Sequence, residues 1–207
     1  QDRVKDTFQL FGVAGRLFRD TTDDPLDPSK GSRLLVKATP YLSLGSGTQY
    51  FIITEAAGSV YRSLGKNVVL ASRARLGAIS GASLSAIPAS KRFYAGGGRS
   101  IRGYDYQLVG PLDADNDPTG GRSVVEINFE PRIRVTEKIS IIPFADAGYV
   151  SEDSIPDLSS DLQVGAGLGV AYMTPVGPIR VDIARALNRR KGIDSNFEFY
   201  ISLGQAF

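Results

Sequence analysis

The chain has 207 residues, with 24 basic and 22 acidic side chains and a net charge of +2, so global charge gives no argument for nucleic acid. It contains neither cysteine nor histidine, which excludes disulfides, thiolate metal sites, thiol nucleophiles and every histidine-dependent triad. No run of 18 apolar residues occurs, so a transmembrane helix is excluded, and the N-terminus lacks the basic-then-apolar pattern of a signal peptide. The 23 glycines and 11 prolines beside a single methionine point to an all-β chain with many turns.

In chain order, period-two alternation predicts nine strands: 7–19, 33–44, 49–62, 67–78, 122–134, 138–150, 161–173, 177–187 and 195–207. In the second, Arg33, Lys37, Thr39, Tyr41 and Ser43 oppose Leu34, Val36, Ala38, Pro40, Leu42 and Leu44. The third is the least regular. The fourth sets Val68, Leu70, Ala74 and Leu76 against Arg73 and Arg75. The fifth is the clearest: Glu126, Asn128, Glu130, Arg132 and Arg134 alternate with Val125, Ile127, Phe129, Pro131, Ile133 and Val135. In the seventh, Leu162, Val164, Ala166, Leu168, Val170 and Tyr172 oppose Gly165, Gly167 and Gly169. The eighth alternates Arg180 and Asp182 with Ile179, Val181 and Ile183. The last puts Phe197, Phe199, Ile201, Leu203 and Phe207 on one side, with Asn196, Glu198, Tyr200, Ser202 and Gly204 on the other.

Connections alternate in length. Gly65–Lys66, Thr136–Glu137 and Pro175–Val176 are short, whereas about 79–121, 151–160 and 188–194 are long. This is a habit of transmembrane barrels. The Asp23–Gly31 turn is the exception, being long on the short-turn side. A soluble β-sandwich also alternates, but strands of up to about 13 residues exceed the usual 5–6 and match a tilted bilayer crossing.

The long loop contains Arg92-Phe93-Tyr94-Ala95-Gly96-Gly97-Gly98-Arg99-Ser100-Ile101-Arg102-Gly103-Tyr104. Glycines beside arginines could cradle phosphate, but no Lys-Ser/Thr and no helical pattern follow them; a surface loop is the plainer reading. Ending in Ile101-Arg102-Gly103-Tyr104, the run resembles the conserved loop of the Omp85 superfamily, which includes the BamA and TamA proteins. Four further features match in order: the Asp24–Arg33 turn, Phe144-Ala145-Asp146-Ala147-Gly148, the Thr174–Asp182 turn and strand, and a last strand with a terminal aromatic, Phe207.

The resemblance implies that residues 1–207 are the C-terminal part of an antiparallel transmembrane β-barrel. They would supply about nine strands of sixteen, with the conserved loop at about 79–121 folded inward and the family's POTRA domains absent. It implies that Arg102, with Gly103 and Tyr104, meets Glu130 and Asp146 on the barrel wall. The residue pattern agrees, since Glu130 lies on a polar face and Asp146 is in phase with Ser140. It implies a lateral seam bordered by the last strand, with Phe199, Ile201, Leu203 and Phe207 forming an assembly signal and Gly204 loosening the edge.

The function implied is assembly or export of client β-barrel or autotransporter proteins in the outer membrane of a Gram-negative bacterium. The TamA side is favoured slightly by Ile179–Ala184 and the terminal strand. Partners would be lipid and lipopolysaccharide (the latter at Arg189-Arg190-Lys191), client outer-membrane proteins, POTRA domains and accessory subunits, with no nucleic acid. No cofactor, metal or enzyme chemistry is expected, since the paired carboxylates lack a nucleophile or pocket. Two alternatives stand: a passive porin-like channel with selectivity set by Arg73, Arg75, Arg132 and Glu126, and a two-partner secretion transporter.

Overall fold

Long runs of alternating side chains, punctuated by glycine- and proline-bearing turns, form one antiparallel sheet in the computed structural model, which describes residues 9–44, 47–156 and 162–207. The strands are β1 (Gln9–Gly12), β2 (Gly15–Asp20), β3 (Gly31–Leu44), β4 (Thr48–Leu64), β5 (Val68–Ser80), β6 (Ser123–Arg134), β7 (Ile139–Ser151), β8 (Gln163–Thr174), β9 (Gly177–Ala186) and β10 (Glu198–Leu203). Their order is β1-β3-β4-β5-β6-β7-β8-β9-β10, with β2 also on β3. Each strand from β3 to β9 has at least 10 residues, enough to cross a bilayer at the usual tilt. Among the described residues β1, β2 and β10 each pair on one side only, so the sheet is open.

The sheet turns its apolar face outward. Ile127 is 55% exposed, Phe129 43%, Phe199 70% and Leu203 62%, while Glu126, Glu130 and Asp146 on the opposite face are at most 1% exposed. A soluble sandwich would bury the first set and expose the second. This inversion is the arrangement of a lipid-facing barrel wall.

Three strands depart from the period-two expectation. The first is two strands in one register, Gln9–Gly12 opposite Leu44–Tyr41 and Gly15–Asp20 opposite Ala38–Arg33. The gap at Val13–Ala14 falls beside Pro40, which has no N–H to give to the ladder. The irregular third strand becomes β4, the longest at 17 residues. Its pattern blurs because Phe51 and Tyr61 are apolar residues of the inner face, both buried. The last strand covers only Glu198–Leu203. Gly204 has φ +86°, and its N–H bonds the carbonyl of Pro178 at 2.7 Å.

The inside of the curved sheet has two layers. Nearest the long loops lies an apolar cluster in which Phe51, Ile79, Val124 and Val150 of the wall meet Ile87, Phe93, Ile101 and Val109 of the loop between β5 and β6. Loop residues supply seven of the twelve buried members of that cluster. Below it the interior is ionic. The loop has two short 3₁₀ turns, Leu84–Ala86 and Ala89–Lys91, and is fastened by bridges Phe93↔Gly121, Ala95↔Val109 and Leu112↔Pro118.

Candidate functional site: an arginine clasp between the loop and the barrel wall

The site begins with a backbone that only glycine permits. Gly103 has φ +96°, and a Cβ there would lie 2.6 Å from the carbonyl carbon of Arg185. Gly165 on β8 has no side chain to hold the loop off; a Cβ at that position would lie 1.8 Å from the carbonyl oxygen of Arg102. The loop can therefore rest directly on β8, and Arg102 is delivered into the wall.

Arg102 is 1% exposed. Its Nε and Nη2 donate to the two oxygens of Asp146 at 2.6 and 2.8 Å, and its own backbone N–H adds a third bond to that carboxylate at 3.0 Å. Nη1 donates to Glu130 at 3.2 Å and to Asp182 at 3.4 Å. Under the guanidinium lies the ring of Phe144, 3.5 Å from centroid to Cζ, a cation–π contact in a dry setting. A planar fork suits this geometry, since lysine offers only a point charge. Burial works against the Arg102 cation, but the bonds and charge of Asp146, then Glu130 and Asp182, outweigh it and push its pKa further above the ordinary arginine value.

Two further arginines balance the charge. Arg180 Nε donates to Asp182 at 2.7 Å and its Nη1 lies 3.0 Å from Glu130. Arg132 donates from Nε and Nη2 to Glu130 at 2.9 and 2.8 Å. Arg102, Arg132 and Arg180 thus face Glu130, Asp146 and Asp182 across β6, β7 and β9. Such a buried set adds little net stability over an apolar core, but losing one member strands the others. Its effect is to fix position.

A second contact group holds the adjacent loop backbone. Ser100 donates from Oγ to Glu126 at 2.6 Å, and Asn128 donates to the Ser100 carbonyl at 2.6 Å. Arg73 donates to the Arg99 carbonyl at 2.9 Å. On the other flank, Tyr200 of β10 accepts from the Gly103 N–H at 3.0 Å and donates to the Tyr104 carbonyl at 3.2 Å. Tyr104 is fully buried, its hydroxyl donating to Asn188 at 2.5 Å and lying 3.2 Å from the Val164 carbonyl. Burial, then the charge of Asp194, raises its pKa.

The structure brings Arg102, Gly103, Tyr104, Glu130 and Asp146 together. Sequence reasoning missed Asp182, Arg180, Phe144 and Tyr200 as members of the same site. Arg180 and Asp182 carried a usable signal, because two opposite charges in phase and flanked by Ile179, Val181 and Ile183 must face something polar. Phe144 carried none, since an aromatic in phase with Asp146 reads as ordinary packing.

Phe199, Ile201 and Leu203 project outward from β10, being 70%, 80% and 62% exposed. Phe207 does not join them. Period-two counting assumes extended backbone, and the positive φ of Gly204 breaks the phase and turns Gln205–Phe207 inward. There Arg132 Nη2 donates to the main-chain oxygen of Phe207 at 3.1 Å, its Cζ 5.8 Å from the Phe207 ring centroid. Of the basic run, Arg190 is spent on Asp194 and on the Leu108 carbonyl, and Arg189 bonds Asn196.

A polar interior clasped by a folded-in loop, within an outward-apolar antiparallel wall, defines the membrane β-barrel class. A family model described as the Omp85 superfamily domain matches residues 1–207, and the chain belongs to that superfamily. It is therefore part of an outer-membrane β-barrel.

The outer membrane protein assembly factor BamA of Nitratidesulfovibrio vulgaris is 31% identical over 204 residues, covering 93% of this chain and 25% of that protein. A SAM50-like protein of Schizosaccharomyces pombe is 28% identical over 174 residues, 76% of this chain and 36% of its own length. The chain thus spans about a quarter to a third of these relatives. The crystal structure of BamA from Haemophilus ducreyi lacking POTRA domains 1-3 superposes with a TM-score of 0.74 at 20% identity, covering 91% of this chain and 41% of that one. Two of these three are BamA proteins and one is SAM50-like, and none of them supports the slight preference for the TamA side.

Proposed function

We propose that the chain is the membrane-embedded C-terminal part of an outer-membrane protein assembly factor, which inserts client β-barrel or autotransporter proteins without chemistry or cofactor. The observation that carries this reading is the loop clasped inside the wall by Arg102, in a chain of the Omp85 superfamily whose relatives include BamA assembly factors. Unpaired N–H and C=O groups at an edge template a further strand by β-augmentation. Further strands and POTRA domains of a longer protein would complete the barrel, with accessory subunits beside it and lipopolysaccharide around it. Client strands would enter at the seam that β10 borders.

The loop also counts against a passive channel, because it occupies the space an open pore needs. Two measurements test the reading. Depleting the full-length protein in its host should lower the folded fraction of client barrels, scored by heat-modifiable gel migration, and wild-type protein should restore it. Unchanged client levels under depletion, with large steady single-channel currents, would sink the assembly reading and favour the pore.

A further inference from the structure

The outward face of the wall is uncharged except near its ends. In the described strands its charged positions are Arg19 opposite Leu34, Arg62 opposite Leu70 and Arg185 opposite Ala166. Each lies no more than two residues from the end of its strand, where a tilted strand leaves the hydrocarbon. No carboxylate of the described strands shares that face. Inward-facing arginines are engaged within the chain: Arg33 with Asp20, Arg75 with Glu55 and Glu126, and Arg132 with Glu130 and the Pro28 carbonyl of the β2–β3 turn. Among the described residues the three outward arginines make no ion pair.

Arg185 differs from the other two in its surroundings. Arg19 and Arg62 end their strands at the periplasmic rim, whereas Arg185 ends β9 at the rim of long loops, the outer side of such a barrel. Its Cζ lies 5.8 Å from the centroid of the Phe197 ring, so an exposed aromatic face steadies the guanidinium without neutralising it. Asn196, the neighbour of Phe197 in the chain, accepts a hydrogen bond from Arg189 Nη1. Two cations therefore flank one Asn196–Phe197 step. The segment between β9 and β10 holds a single acid, Asp194, and Arg190 occupies it from Nε and Nη2 at 3.0 and 2.7 Å. Arg185, Arg189 and Lys191 are exposed and have no carboxylate partner among the described residues. Positive charge is left uncompensated where the apolar wall meets its loop.

We propose that Arg185 and Arg189, with Phe197 as a shelf, form a binding site for a phosphate of lipopolysaccharide in the outer leaflet. The site deepens the reading above, which sets lipopolysaccharide around the barrel, and it rests on that part of the reading alone. A guanidinium presents a planar fork to phosphate oxygens, and two of them on either side of one dipeptide can share a single phosphate. Lys191 adds charge to the same loop without a fork. Below Arg185 the outward residues of β9 are Ile183, Val181 and Ile179, all exposed, so this strand faces lipid along its length. A lipid whose acyl chains lie on those side chains brings its headgroup phosphate to the level of Arg185. The long-loop rim selects the outer leaflet, where lipopolysaccharide is the phosphate-bearing lipid.

The test uses the full-length protein, purified in detergent, scored as folded by heat-modifiable migration and incubated with short-chain lipopolysaccharide. Wild-type protein should retain several-fold more of it than Arg185→Gln, with a smaller loss for Arg189→Gln. Arg185→Lys should recover part of the retention, as charge without the fork. Removing the phosphates from the probe should bring wild-type retention down to that of Arg185→Gln. Arg62→Gln takes one outward cation from the opposite rim and should retain as much as wild type. Equal retention by folded wild type and Arg185→Gln overturns the site. An equal loss in Arg62→Gln overturns it too, because net charge would then account for the binding. Phosphatidylglycerol held as well as lipopolysaccharide, and equally sensitive to Arg185→Gln, overturns lipopolysaccharide as the source of the phosphate. Depletion of the wild-type protein reads the assembly function separately. Clients indifferent to depletion remove that function and leave retention at Arg185 as it was measured.

Discussion

The wall from β6 to β9 and the strand β10 share one sequence rule, outward apolar and inward polar, yet they are held in different ways. The wall strands are tied by their ladders and again by side chains: Glu130, Asp146 and Asp182 reach from three strands to one loop arginine. β10 has a ladder of six residues on one side and a single side chain, Tyr200, bonded to the loop backbone. A six-residue ladder with β9 opens at lower cost than the longer ladders of the wall, which the ionic set ties a second time. The comparison places rigidity at the clasp and motion at β10.

The strongest way to break the contrast is Arg102→Ala. It leaves Asp146 and Glu130 buried without their fork, a loss on the order of 3–5 kcal/mol for such a pair. The loop should become protease-sensitive in detergent-solubilised protein, while the β6–β9 ladder persists. Arg102→Lys should restore charge without the bidentate geometry and recover only part of the protection. Glu130→Gln and Asp146→Asn should each lose less than Arg102→Ala. If Arg102→Ala, Glu130→Gln and Asp146→Asn all leave loop protection unchanged, the clasp does not position the loop.

Next in size is Gly165→Ala. The new methyl would meet the Arg102 carbonyl at 1.8 Å, where backbone rather than a flexible side-chain end must move, so a penalty of about 1–3 kcal/mol follows. The same change at Gly15, where a Cβ would meet its first neighbour at 3.6 Å, should be nearly silent. Equal effects on loop proteolysis at the two positions would remove the close-approach argument.

These two residues also mark what the sequence could and could not reveal. Glu130 and Asp146 were legible because polar residues in phase on a lipid-crossing strand must look inward. Gly165, Gly167 and Gly169 were legible as a glycine face, but not as a seat for the loop, because absence of a side chain names no partner. Asp182 and Arg180 were visible as inward charges whose target three strands away no local pattern specifies. Phe207 was misplaced because alternation carries phase only while the backbone stays extended, and Gly204 ends that condition. The split of the first strand follows from Pro40 on its neighbour, a constraint that becomes visible only once the register is known.

Tyr200→Phe should have a smaller effect, about 1 kcal/mol for hydrogen bonds with modest net worth. It removes the tie between β10 and the loop at Gly103 and Tyr104 and leaves Arg102 in place. Hydrogen exchange should speed up along Glu198–Leu203 and stay unchanged in β6 and β7. Uniform acceleration across all these strands would mean that β10 is not mechanically separate from the wall.

The smallest expected effect is the pH response of the β2–β3 turn. Burial is the largest single influence on Asp23 and opposes its ionisation, but the bonds from Ser29 and Lys30 together outweigh it and hold the carboxyl at about 2, below the ordinary 3.8. A depressed folded-state pKa means that the unfolded turn binds the proton more readily. The contribution is therefore complete above about pH 4 and is lost as pH falls through about 2. Because Asp23 is exposed, solvent screens much of the effect. Amide exchange at Ser29 and Lys30, corrected for intrinsic rate, should keep its protection from pH 7 to 4 and lose it below. Asp23→Asn should flatten that profile while lowering protection at neutral pH, and the clasp at Arg102 should not respond in the same window. A loop that loosened together with the turn would show that Glu130 transmits between them through Arg132, and the two regions would then have to be treated as one.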